Sequence, residues 1–285
     1  MTSRPHPILA LLAAAATTPL RPAAAQVPGD QPRQSVTVEM YADVEAVAPG
    51  ATFHLAVQYD IIPDWHIYWV NPGDTGYATS LAITAPEGFV VGPVQYPGPH
   101  RVELPGNLFS FAYERQVTFI IELKAPGTLI SDRNLNLELE SDWLVCKEAC
   151  VMGSATSSLV LRSAASTVDV KPANAQRFAA AAARLPRELK ELKIGQPRWR
   201  GSKTSPRFEA TFPREVELDV FPLLVQDVEA HEPTITRLDD GSSHLTVTFD
   251  VNTSRLWPAG PRALAVLRVR RGDEEKYYNL VPEFE

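Results

Sequence analysis

Two cysteines occur in the 285-residue sequence, Cys146 and Cys150, with Lys147-Glu148-Ala149 between them. A close pair of thiols supports reversible exchange. One thiolate attacks a partner disulfide, and the second resolves the mixed disulfide. Lys147 favours a thiolate at this place and Glu148 opposes one. Two other readings stay open. A bridge in an exported protein is often inert and ties down one loop. Two thiolates with Met152 nearby also suit Cu(I), which prefers thiolate and thioether ligands.

Spacing constrains the geometry of a bonded pair. Residues four apart in an extended strand lie about 13 Å apart. A disulfide needs Cα atoms about 4.4–6.8 Å apart. Pairing of Cys146 with Cys150 therefore requires the chain to turn back or coil within Lys147-Glu148-Ala149. A loop that short removes little unfolded-state entropy, so the bond is a poor global staple.

A second cluster is Trp65-His66-Ile67-Tyr68-Trp69, followed by Asn71-Pro72-Gly73-Asp74. The aromatics suit either a site lining or a core, and Asn-Pro-Gly-Asp is turn chemistry. His66 is a candidate proton-transfer group or ligand, with a structural histidine as the plainer alternative. His54, His100, His231 and His244 are scattered and receive no role. The sequence holds no G-x-S-x-G elbow, no phosphate-binding G-x-x-x-x-G-K-[ST] loop and no H-E-x-x-H helix.

The elements that position these residues read as β-structure. Phe53, Leu55, Val57 and Tyr59 alternate with polar or small residues. Val117, Phe119, Ile121 and Leu123 repeat the pattern, as do Leu135, Leu137 and Leu139. A period of two marks half-buried strands. Pro/Gly clusters at 48–50, 71–74, 85–88 and 125–127 punctuate them. Many short strands with such punctuation predict an antiparallel sandwich. Residues 163–194 read as a partly helical connector, with Pro172 opening an Ala-rich run to Arg184. Residues 195–285 read as a second, smaller β-domain, with a hairpin turn over Arg270 to Glu274.

The N-terminus reads as a secretory signal over residues 1–25. Arg4 supplies the positive region, Ile8 to Ala16 the apolar region and Ala23-Ala24-Ala25 the cleavage site. The apolar stretch is too short to span a bilayer, and no longer one follows. The mature chain is thus expected outside the cytoplasm without stable membrane insertion. The net charge of −7, with no Lys/Arg run, argues against nucleic acid and anionic membranes as partners.

Four segments in this order resemble one family. They are Trp65-His66-Ile67-Tyr68-Trp69 with Asn71-Pro72-Gly73-Asp74, Tyr96-Pro97 with Pro99-His100-Arg101, Phe111-Ala112-Tyr113-Glu114, and Trp143 through Cys150. The set is similar to the N-terminal periplasmic domain of the DsbD-type thiol:disulfide interchange proteins, especially the copper-sensitivity-suppressor branch. The matching motifs span about residues 36–162. The resemblance implies an immunoglobulin-like fold and a periplasmic location. It implies that Cys146 and Cys150 take electrons from a membrane donor and pass them to periplasmic thioredoxin-like or disulfide-isomerase-like proteins. It also implies an aromatic cap over the cysteines, for which Phe109, Phe111 and Tyr113 are the candidates. Exchange of this kind needs no diffusible cofactor. The three-residue spacer is shorter than in the best-known members. Those members continue into membrane and thioredoxin-like domains, which this sequence does not contain, so a relay implies a separate membrane donor.

Overall fold

A computed structural model describes residues 35–252 and 262–282. The leader read over residues 1–25 lies outside them. The first strands are β1 (Val36–Ala42), β2 (Ala46–Val47), β3 (Thr52–Ile61), β4 (His66–Gly73), β5 (Ser80–Thr84) and β6 (Val90–Gln95). They continue with β7 (His100–Leu104), β8 (Leu108–Glu114), β9 (Gln116–Lys124), β10 (Asn134–Cys146) and β11 (Cys150–Ser163). One sheet has the order β1-β3-β9-β6. The other has the order β2-β11-β10-β4-β8-β7, with β5 also on β10. All pairings within these two sheets are antiparallel except that of β2 with β11.

The alternating residues explain the packing. Phe53, Leu55, Val57 and Tyr59 on β3 face Leu135, Leu137, Leu139 and Trp143 on β10 across one shared core. Each fully buried large side chain contributes on the order of 1.5–3 kcal/mol. The result is an all-β, immunoglobulin-like antiparallel sandwich.

The segment after β11 holds less helix than its Ala-rich composition suggests. Its one α-helix, α1 (Ala175–Ala182), is eight residues long. Asn174 enters it in the left-handed region, and Leu185-Pro186 follows its end. Then come β12 (Arg187–Glu188), β13 (Arg198–Ser202), β14 (Ser205–Phe212), β15 (Val216–Pro222) and β16 (Val228–Ala230). The last strands are β17 (Thr234–Arg237), β18 (Ser243–Val251), β19 (Ala265–Arg271) and β20 (Glu274–Leu280). They form two further sheets, β12-β20-β19-β15 and β13-β14-β18-β16, with β17 on β18. The β19–β20 hairpin turns at Gly272-Asp273.

The later sheets have their own apolar centre around Phe208, Phe212, Val247 and Leu267. They also dock on the first pair. Phe221 packs edge-on against Phe111 and Trp69, at 5.1 and 6.2 Å between ring centroids. The Asn71 side-chain amide donates to the Pro222 carbonyl at 2.8 Å. The segment Pro97-Gly98-Pro99 is held from both sides. Tyr113 donates to the Pro97 carbonyl, and Tyr277 donates to that of Pro99.

Candidate functional site

β10 and β11 form a long hairpin in which Cys146 and Cys150 stand directly opposite each other. The turn-back demanded by the spacing is thus the three-residue link of this hairpin. Its Lys147 N–H donates to the Ala149 carbonyl at 3.3 Å. The two cysteines are disulfide-bonded, with Cα atoms 4.2 Å apart. Gly153 sits opposite Trp143 on the core side. A Cβ there would come within 2.3 Å of the indole Nε1, so glycine makes room for the ring. Lys147 lies 3.4 Å from an oxygen of Asp64, and its charge is shared with that carboxylate.

The two cysteines differ in access. Strand alternation turns Val145 into the core and Cys146 onto the outer face of the sheet. Cys146 is nevertheless only 2% exposed, whereas Cys150 is exposed. The cover comes from β4, which pairs with the end of β10 so that His66 stands beside Cys146. Tyr68 points the same way from two residues on. Its hydroxyl donates to Cys146 Sγ at 3.0 Å and lies 4.0 Å from Cys150 Sγ. His66 Nε2 lies 3.3 Å from the Tyr68 hydroxyl.

Burial sets the protonation of these partners. It pushes the Tyr68 phenol up, against a smaller opposing effect of the Ser110 hydroxyl, so the group remains a donor at neutral pH. Burial also pushes the His66 imidazole down. Glu114 opposes that shift and His100 adds to it. The imidazole is therefore neutral at pH 7. A phenol donor aimed at Sγ strengthens when the sulfur becomes a thiolate, because hydrogen bonds to charged groups contribute about 1.5–3 kcal/mol. In a Cys150→Ser background, Tyr68→Phe should therefore raise the Cys146 thiol pKa by about one unit. Titration of the thiolate absorbance checks this.

The outer face of β4 is itself covered. Beyond Gly73 the chain folds back, and Ala78 forms a parallel bridge with Tyr68. The Thr79 N–H donates to the Tyr68 carbonyl at 3.3 Å. Thr75 and Ser110 join hydroxyls at 3.1 Å, which ties the fold-back to β8. Gly76 lies directly on the Tyr68 ring. Its φ is +106°, and a Cβ there would come within 2.2 Å of the ring. Two properties of glycine, the allowed positive φ and the missing side chain, are used at once.

The three aromatics expected as a cap have definite places. Phe109 packs beside Phe111 and under the Arg101 guanidinium, 4.2 Å above its ring. Phe111 is buried against Trp69 and Phe221. Tyr113 is fully buried against Phe119. The aromatic brought to the sulfurs is Tyr68, a member of the Trp65–Trp69 aromatic cluster. Its signal was its place two residues from His66 on one strand face. Met152 shares the outer face with Cys150 and is 58% exposed. Among the described residues, no group of three or more His, Cys, Asp or Glu is placed to hold a metal ion. His100 lies across β8 from this cluster, with Nε2 3.7 Å from Glu114.

The family model described as thiol:disulfide interchange protein DsbD, N-terminal, matches residues 33–162. Residues 33–162 form a DsbD-type N-terminal domain. The matched span holds the whole Cys146–Cys150 hairpin and its cover. No curated protein matches the chain in sequence. Among solved structures, the N-terminal periplasmic domain of ScsB from Proteus mirabilis is similar at 18% identity with a TM-score of 0.57. That match covers 90% of this chain and 97% of the ScsB chain, so the shared fold extends past the DsbD-type domain into the later sheets. The DsbD N-terminal domain of Neisseria meningitidis in the reduced form aligns at 10% identity and a TM-score of 0.28, over 50% of this chain and 93% of that one. At the level of the family, the DsbD-type domain and its bonded cysteine pair support thiol:disulfide exchange. Among the described residues, no helix is long and apolar enough to cross a membrane.

Proposed function

We propose that this protein is a periplasmic thiol:disulfide relay in which Cys146 and Cys150 cycle between dithiol and disulfide. The observation that carries the reading is the asymmetric pair: an exposed Cys150 joined to a buried Cys146 that receives a hydroxyl donor. In this reading residues 36–162 are the exchange domain, 163–194 the connector and 195–285 a second β-domain docked on it. Residues 1–25 export the chain.

The electron steps balance. A membrane donor protein, in its dithiol form, reduces the Cys146–Cys150 disulfide and becomes oxidised. The Cys150 thiolate then attacks the disulfide of a thioredoxin-like or isomerase-like protein. A bond forms between Cys150 Sγ and one partner sulfur, and the other partner sulfur leaves as a thiolate. Cys146 attacks Cys150 Sγ next. The internal disulfide re-forms, and the second partner thiolate departs. Two electrons have moved to the partner. The Tyr68 hydroxyl stabilises Cys146 as a thiolate just before the resolving step.

The test is exchange itself. The reduced mature protein, mixed with an oxidised thioredoxin-like protein, should form its own disulfide while the partner gains two thiols. A reduced protein that leaves the partner disulfide intact would instead favour an inert bridge in a binding module.

A further inference from the structure

β11 is bonded to β10 along all of β10 on one side. On the other side, only Arg162 and Ser163 have a partner, in β2. Among the described residues, 150–161 is therefore a free sheet edge. Native edges are usually blunted by charge, proline or a bulge. From Val151 to Leu161 this edge has no charged residue and no proline, in a chain that is 21% charged. Its register with β10 is continuous, without a bulge.

Register also says which backbone groups are free. Antiparallel partners about 4.5 Å apart at Cα form the pair without mutual hydrogen bonds, whose N–H and C=O groups point away from each other. Cys146 and Cys150, at 4.2 Å, are such a pair. The N–H and C=O of Cys150 thus point to the open edge, and by the period of two so do those of Met152 and Ser154. One residue supplies both the exposed sulfur and the unpaired backbone.

We propose that the β11 edge from Cys150 to Ser154 pairs with an extended segment of the redox partner, the segment that flanks its reactive cysteine. Backbone bonds would align the two sulfurs, by the strand addition known from other recognition domains. The proposal rests on the exchange reading above. The occupant follows from place: a partner sulfur that reaches Cys150 brings its own flanking chain alongside this edge. The segment's chemistry is apolar or uncharged, to match Val151, the exposed Met152 and Ser154. A second copy is disfavoured because each chain carries −7.

The test compares Met152→Pro with Met152→Leu in the full mature chain. Proline removes an N–H that faces the open edge, a place where strands tolerate it. Leucine changes the side chain and keeps the N–H. Each reduced protein is reacted with oxidised DsbA, which is more oxidising than the range expected of the pair, and with glutathione disulfide. Met152→Pro should slow the DsbA reaction by roughly five- to tenfold, the loss of about one aligned hydrogen bond. It should leave the glutathione reaction within about twofold, since a small disulfide needs no edge. Met152→Leu should react like the unmodified protein with both. Unchanged DsbA kinetics in Met152→Pro, beside normal exchange in the unmodified protein, would overturn the edge proposal alone. An unmodified protein inert to both disulfides would remove the exchange reading and this proposal with it. Should the proline variant not fold, hydrogen exchange on the Cys146→Ser mixed disulfide with DsbA decides. New protection at the Met152 and Ser154 amides supports the pairing. No change there, or protection already present in the free protein, overturns it.

Discussion

Replacing Cys150 by serine is expected to abolish capture of a protein partner, while replacing Cys146 by serine is expected to trap one. The prediction follows from access. Cys146 is buried beneath Tyr68, whereas Cys150 is exposed at the sheet edge. A thiolate must reach the partner's sulfur in line, so the buried thiol is a poor first nucleophile even if its pKa is low. With Cys146 missing, nothing resolves the mixed disulfide at Cys150, and the complex should survive non-reducing electrophoresis. With Cys150 missing, the yield of complex should fall by about a hundredfold or more. Equal trapping by both variants would mean that Tyr68 and the fold-back of residues 74–79 do not shield Cys146 in solution.

The second large effect is expected at Gly76. An alanine there meets two penalties. Its φ of +106° is foreign to residues with a Cβ, and the Cβ would lie 2.2 Å from the Tyr68 ring. Backbone strain of this kind costs about 1–3 kcal/mol, and overpacking costs a similar amount. Gly76→Ala should therefore lower Tm by about 5–10 °C in a domain of this size. It should also push the Tyr68 ring from its place and open Cys146. In a Cys150→Ser background, alkylation of Cys146 should accelerate by about tenfold. Gly106→Ala is the control. Its φ is +87°, but nothing lies within 4 Å of its Cβ. It carries strain without the clash, and Cys146 alkylation should not change.

Much of this arrangement could be read locally. The alternation of Leu135, Leu137 and Leu139 marks β10, and the cysteine spacing demands the turn that the hairpin link makes. The alternation of Val117, Phe119, Ile121 and Leu123 marks β9 in the same way. Local periodicity could not reach contacts between distant residues. Tyr68 and Cys146 are 78 residues apart, and their meeting depends on how β4 registers with β10. Alternation alone places Cys146 on an open face. It is buried because Tyr68 lies over its sulfur, and the chain beyond the turn read at 71–74 folds back so that Gly76 rests on the Tyr68 ring. The expected helix from Ala173 to Arg184 is shorter because Asn174 enters in the left-handed region and Leu185-Pro186 follows. The aromatics of β8 were visible as a group, but not that Phe111 would meet Phe221, 110 residues on. That contact belongs to the docking of the later sheets, for which the sequence has no periodic signal.

The reduction potential of the Cys146–Cys150 pair in the purified mature protein tests the relay most directly. Equilibration in a glutathione or dithiothreitol series gives the value. The relay account predicts a reversible potential between those of thioredoxin, about −270 mV, and DsbA, about −120 mV. A potential well below about −300 mV would mark a bond that cellular dithiols do not open, and would contradict the account in favour of a structural bridge.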